Sequence, residues 1–180
     1  MEKLLKMALK GNKDSFIQLI KLIEKKLYFI AKSRLENEED IKDVIQETIC
    51  QTYKNLKNLK NISKFDTWIV TILINNCNQL YRKNKKYSYT IYEKDSINKL
   101  HSINEYVETD TKIDFLHLLN LLNEDDRTIF VLYYSDNYTT NQISKILKIN
   151  ENTIKSKIKR AKEKIRNHIE RCEENERKIK

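Results

Sequence analysis

Residues 139–161 run TTNQISKILKINENTIKSKIKRA, and the fold is decided there. Thr139 and Gln142 have the T-x-x-Q spacing of a capping box, which satisfies backbone N–H groups that a helix start leaves open. The spacing predicts a short helix with Ile143, Ile146 and Leu147 turned inward. Lys148, Ile149 and Asn150 make a tight turn, and Asn150 is placed to cap a second helix from Glu151 to about Arg171. On that helix Ile154, Ile158, Ala161 and Ile165 recur at helical intervals and set a buried stripe. Lys155, Ser156, Lys159 and Arg160 fall about 100° or more round the wheel. Two helices on so short a turn, one with a core stripe and a donor-rich face, match what a DNA-reading helix-turn-helix needs. Arginine and lysine pair with guanine or phosphate, while Ser156 and Asn152 are short groups suited to close approach. A solvated basic surface helix is the competing reading of the same residues.

Upstream of this stretch the pattern stays helical. Asn123 precedes Glu124, Asp125 and Asp126, acids that suit the positive end of a helix carrying Ile129, Phe130, Leu132 and Tyr133. Phe115, Leu116, Leu119 and Leu122 continue the pattern backwards. Near the start, Phe16, Leu19, Ile20, Ile23, Leu27 and Ile30 keep one apolar stripe. Ile41, Val44, Ile45, Thr48, Ile49 and Tyr53 mark a further helix. Ser63 and Asp66 have capping-box spacing ahead of another, with Phe65, Trp68, Ile69, Ile72, Leu73 and Leu80 as its apolar side. Between residues 87 and 111 the periodicity fades into Ser, Thr, Asn and Asp. The expected architecture is all-α: a helical domain over 1–86, a polar linker over 87–111, and a helix-turn-helix domain over 112–172. A charged tail over 173–180 is expected to fray.

Composition narrows the function classes. The 180 residues include one glycine, Gly11, and no proline, which argues against turn-rich β folds and phosphate-cradling glycine loops. Cys50, Cys77 and Cys172 show no paired spacing, and neither a secretory signal nor a membrane-length apolar run is visible, so a reduced, cytoplasmic protein is expected. His101, His117 and His168 are scattered. Only His168 and Cys172 stand at i, i+4, too few ligands for a zinc site, and no nucleophile–base pattern appears. No metal, no cofactor and no enzymatic activity are expected.

Thirty-five basic and twenty-six acidic residues give a net charge of +9 and a pI near 9.3. That balance suits a polyanion, and its distribution sharpens the point. Glu36, Glu38, Glu39, Asp40, Asp43 and Glu47 make one helix start acidic; such a face repels DNA and belongs to solvent or a protein partner. Arg82, Lys83, Lys85 and Lys86 end the next helix in a basic cluster, which suits both the helix dipole and phosphate.

These residues, in this order, resemble a known family. The run from Gly11 through Phe16, followed by Asp40-Ile41-Lys42-Asp43-Val44-Ile45-Gln46-Glu47-Thr48, resembles the core-binding domain of sigma factors. Phe65-Asp66-Thr67-Trp68-Ile69, with Ile72, Asn75, Arg82 and Lys83, is similar to its promoter-melting segment. Leu122 through Arg160, above all Thr153-Ile154-Lys155-Ser156-Lys157-Ile158-Lys159-Arg160-Ala161, resembles the C-terminal DNA-binding domain. Order, spacing and length are similar to the extracytoplasmic-function group, which keeps only these two domains.

The resemblance implies a transcription initiation factor with core RNA polymerase and promoter DNA as partners, and an anti-sigma factor, often membrane-bound in this group, as a third. It implies that Asp40, Asp43, Gln46 and Glu47 dock on polymerase. Asn61, Ser63, Lys64, Trp68, Asn75, Gln79, Arg82 and Lys83 would serve the −10 element, and the loop containing the first three would hold an extruded base. Thr139, Thr140, Asn152, Thr153, Lys155, Ser156, Lys159 and Arg160 would serve the −35 element. For Trp68 a second reading stays open, since a lone tryptophan on an apolar stripe is more often core. The chain departs from the family where glycine is common, at Asn137, Lys148 and Asn152. Asparagine tolerates a left-handed backbone better than lysine does, so strain is expected at Lys148. Gln79 replaces a common aspartate, and Tyr133 a basic residue. Residues 87–111 reach at most about 85 Å, enough for two DNA elements about 70 Å apart. The rival reading is a stand-alone helix-turn-helix regulator whose first half dimerises or senses a ligand.

Overall fold

The computed structural model describes residues 1–88 and 118–179, with side chains over 1–83 and 118–171. The chain divides into two compact units, Met1–Ser102 and Ile103–Lys180. The fold is all-α, and among the described residues there is no strand. The expected linker beyond its first two residues, together with Phe115 and Leu116, lies outside the described residues, as do the side chains of Lys85 and Lys86.

Among the described residues the first unit holds four α-helices: α1 (Glu2–Leu9), α2 (Lys13–Lys32), α3 (Glu38–Asn55) and α4 (Phe65–Ser88). Gly11, at φ 94°, supplies the left-handed backbone that turns α1 into α2. The Asn12 side-chain oxygen accepts the Ser15 N–H at 2.8 Å to start α2, and Asn37 accepts from Glu39 and Asp40 at 2.8 and 3.0 Å to start α3. The expected α2 stripe is buried in full, from Phe16 to Ile30.

Helix α4 starts differently from expectation. A 3-10 turn, Ile62–Lys64, precedes it, so Ser63 lies inside the turn. Asn61 takes the capping role, accepting the Ser63 N–H at 2.9 Å and the Ser63 hydroxyl at 2.7 Å. Asp66, the expected partner of Ser63, instead receives Lys26 of α2 at 2.7 and 2.8 Å. The buried side of α4 is Phe65, Ile69, Val70, Leu73, Ile74, Asn76 and Cys77, a wider arc than the expected stripe and shifted from it, with Trp68, Ile72 and Leu80 only half-buried. It is wide because α4 packs against both α2 and α3. Inside that contact Asn76 Nδ2 donates to Thr48 Oγ1 at 3.0 Å, and Thr48 passes its own proton to the Val44 carbonyl at 2.7 Å. The Asn76 amide nitrogen and the Thr48 hydroxyl thus each have a partner away from water.

The second unit contains α5 (Glu124–Phe130), α6 (Thr140–Leu147) and α7 (Glu151–Ile179). Asn123 caps α5 through the Asp126 N–H at 2.9 Å. Arg127 reaches back to the carbonyls of Leu119 and Leu122 at 3.2 and 3.3 Å. A π-helical turn, Val131–Ser135, follows α5 directly and leads to Asn137 at φ 55°. The capping box of Thr139 and Gln142 is present with both of its hydrogen bonds. Ile143, Ile146, Ile154, Ile158, Ala161 and Ile165 are buried as expected. Helix α7 continues to Ile179 where a frayed tail was expected from Glu173. The reason is compositional, because those last residues are mostly Glu, Arg and Lys, good helix formers without glycine or proline.

Candidate functional site

In the second unit the polar face of α7 lies opposite its core stripe. Taking about 100° per residue from Ile154, Asn152, Ser156 and Lys159 sit on the far side, with Lys155, Thr153 and Arg160 beside them. All six are exposed. The two shoulders of the helix are occupied from within. On one, Lys157 donates to Asp126 of α5 at 2.6 Å and is largely covered. On the other, Glu151 joins α7 to α6: its Oε1 accepts the Thr140 hydroxyl at 2.8 Å, and its Oε2 accepts Asn141 Nδ2 at 3.2 Å. Lys155 Nζ lies 3.1 Å from the same Oε1. These donors, Thr140 first and then Lys155 and Asn141, hold the Glu151 carboxyl down to a pKa of about 2.

The turn between the helices is closed by Ser144. Its backbone carbonyl accepts the Lys148 and Ile149 N–H groups, and its hydroxyl donates to the Ile149 carbonyl at 2.6 Å. Lys148 sits at φ 57° and ψ 39°, the left-handed conformation expected where relatives of the resembled family have glycine. Asn150 caps α7 through the Asn152 N–H at 2.8 Å. Thr139 spends its hydroxyl on Gln142, and Ser156 donates to the Asn152 carbonyl at 2.9 Å.

In the first unit one face of α4 runs Trp68, Ile72, Asn75, Gln79 and Arg82. Its burial grades from half-buried Trp68 and Ile72 to exposed Asn75, Gln79 and Arg82, with Lys83 exposed alongside. The core arc of α4 is centred on the opposite side, so Trp68 is a rim residue rather than a core one. Its ring sits 6.3 Å from that of buried Phe65. Asn61, Ser63 and Lys64 are exposed in the turn immediately before the same helix. The structure thus gathers the suggested −10 residues along one edge, with an aromatic ring near the loop and cations further along.

On α3, Asp43, Gln46 and Glu47 are exposed on one face and Asp40 is half-buried beside them. Glu47 accepts from Gln51 at 2.8 Å. Glu38 departs from this acidic face: it accepts from Tyr28 at 3.1 and 3.2 Å and pairs with Lys32, both on α2. Among the described residues no group of three or more His, Cys, Asp or Glu could hold a metal, and no helix is long and apolar enough to cross a membrane.

Two family models match the chain in the order of these units. The model for sigma-70 region 2 takes in residues 19–87, and that for sigma-70 region 4 takes in residues 112–165. The ECF RNA polymerase sigma factor SigW of Bacillus subtilis is 26% identical over 179 residues, covering 93% of this chain and 96% of that protein. The ECF RNA polymerase sigma-E factor of Haemophilus influenzae is 25% identical over 171 residues, covering 89% and 90%. The chain belongs to the extracytoplasmic-function sigma factors. The fold of this sigma factor is also similar to that of RpoE from Bartonella quintana, solved in complex with the anti-sigma factor NepR. That likeness has a TM-score of 0.69 and 22% identity, over 88% of this chain and 98% of the other.

Within this sigma factor, Glu151 and Asn141 are the site residues that sequence reasoning passed over. The Glu151–Lys155 spacing of i, i+4 signalled the ion pair. Nothing local signalled Thr140 and Asn141, which reach Glu151 only because the turn brings α6 against α7.

Proposed function

We propose that this sigma factor binds core RNA polymerase and directs promoter-specific initiation, recognising −35 and −10 elements and assisting strand separation. The observation that carries the reading is the ordered match to regions 2 and 4. The faces agree with it: acidic on α3, polar and cationic on α4, donor-rich on α7. The work is divided along the domain limits expected from the sequence, with 1–86 for polymerase and the −10 element, 112–172 for the −35 element, and 87–111 between. Asp40, Asp43, Gln46 and Glu47 dock on polymerase. Asn61, Ser63 and Lys64 hold an extruded base, with Trp68 beside them and Asn75, Gln79, Arg82 and Lys83 along the strand. Extrusion costs a few kcal/mol, which phosphate contacts and a base pocket offset.

The factor performs no catalytic step itself, acts in the cytoplasm and is restrained by an anti-sigma factor, as RpoE of Bartonella quintana is bound by NepR. The rival stand-alone regulator would use the first unit for sensing or dimerisation, whereas that unit matches region 2. In vitro transcription with purified core polymerase on genomic promoter fragments tests the reading. The wild-type chain should start RNA at defined promoters, while Asp43→Ala/Glu47→Ala and Lys155→Ala/Arg160→Ala should each lose initiation. Promoter choice indifferent to both pairs would remove these surfaces from the mechanism.

A further inference from the structure

Glu151 presents a carboxylate to three donors of the DNA-facing side: the Thr140 hydroxyl at 2.8 Å, the Asn141 amide at 3.2 Å and the Lys155 ammonium at 3.1 Å. A hydroxyl, an amide and an ammonium converging on two anionic oxygens is also the donor set that proteins offer to a DNA phosphate. Two of the three, Thr140 and Lys155, are among the residues assigned to the −35 element. We propose that Glu151 is an internal stand-in for a backbone phosphate, competing with DNA for these donors and lowering the affinity of the factor for duplexes in general. This inference rests on the DNA-binding role proposed for the second unit.

Two physical effects act together. A duplex must first take Lys155 away from an anion that is covalently fixed and therefore always nearby. The released carboxylate then sits beside the incoming phosphate with the same sign of charge. Both penalties are independent of base sequence, because neither involves a base edge. A factor able to engage every stretch of backbone would be titrated by the great excess of non-promoter DNA. Glu151 is thus a residue that sets the baseline from which promoter contacts are counted.

The experiment measures duplex binding by the full chain, without polymerase, using fluorescence anisotropy across a salt series. Probes are one duplex carrying a promoter active in the transcription assay and one scrambled duplex. Glu151→Gln keeps the size of the side chain and one acceptor oxygen for the Thr140 hydroxyl, and removes its charge. Its affinity for both duplexes should rise roughly three- to tenfold at low salt, with log K against log salt steeper by about 0.9, one extra phosphate contact. In a Lys155→Ala background the same substitution should give a smaller gain and no change of slope. Melting curves for each variant separate this from a fold defect: a purely structural Glu151 would lower stability and affinity together. An unchanged or weaker affinity in folded Glu151→Gln would overturn the inference while leaving the transcription result standing. Absence of duplex binding by wild type and variant alike, even with core polymerase present, would overturn the inference along with the DNA-binding role.

Discussion

Lys148 is the residue with the clearest local cost. A side chain with a Cβ at φ 57° loses roughly 1–2 kcal/mol relative to a right-handed backbone. Glycine escapes that penalty but gains freedom when unfolded. Lys148→Gly should therefore stabilise the second unit by about 0.5–1 kcal/mol, read from urea unfolding, whereas Lys148→Ala should bring no comparable gain. Equal midpoints for wild type and the glycine variant would mean that the turn is not strained. The left-handed residue was expected from the resemblance, because the family commonly has glycine at this turn. The device that closes the turn, Ser144 binding Ile149, was not, because it depends on the turn having already formed. Glu151 makes a second residue-level case. Its carboxyl titrates near 2 rather than at its ordinary 4.5, since Thr140, Lys155 and Asn141 favour the ionised form. A depressed native value means that the carboxylate contributes stability above pH about 4.5, and that this contribution fades as acid lowers the pH towards 2. Carboxyl NMR should show a titration midpoint well under 4 in the wild type and closer to the ordinary value in Lys155→Ala/Thr140→Ala.

Among the elements, α4 shows most clearly how far periodicity reaches. Its existence and its exposed polar edge were legible, because Asn75, Gln79 and Arg82 share a face at helical spacing. The full width of its buried side was not. Val70, Ile74 and Cys77 are buried since α4 has neighbours on two sides, and the number of neighbours is a tertiary fact. Asn76 was hidden for the same reason, as a polar residue beside Asn75 and Asn78 reads as surface until Thr48 is brought opposite it. Removing the acceptor should be costly. Thr48→Val leaves the buried Asn76 amide without its partner and should destabilise the first unit by about 1–3 kcal/mol. Replacing both, as Thr48→Val/Asn76→Leu, should recover part of that loss, and denaturant titration of the wild type, both single variants and the double variant closes the cycle. Strictly additive losses would show that the two side chains do not depend on each other.

For the whole molecule, the decisive property is that charge is sorted and not merely abundant. An excess of +9 alone would fit any nucleic-acid binder. The acidic face of α3, on the proposed reading, separates a factor that also grips a protein from one that only coats DNA. The two surfaces should fail independently. Lys155→Ala/Arg160→Ala should make the salt dependence of duplex binding shallower by roughly one phosphate contact, about 0.9 in slope, since Glu151 offsets the Lys155 charge, while leaving affinity for core polymerase unchanged. Asp43→Ala/Glu47→Ala should do the reverse, and calorimetry with core enzyme alongside anisotropy with DNA tests both. Parallel loss in the two assays would point to one shared surface. The hydrogen bond from Asn76 to Thr48 has a mechanical meaning at this scale, because it ties α3, the helix proposed to meet polymerase, to α4, the helix proposed to meet the melted strand. On that proposal, an enzyme that carries α3 carries the edge from Trp68 to Arg82 with it, and the grip on α3 sets the aim of that edge.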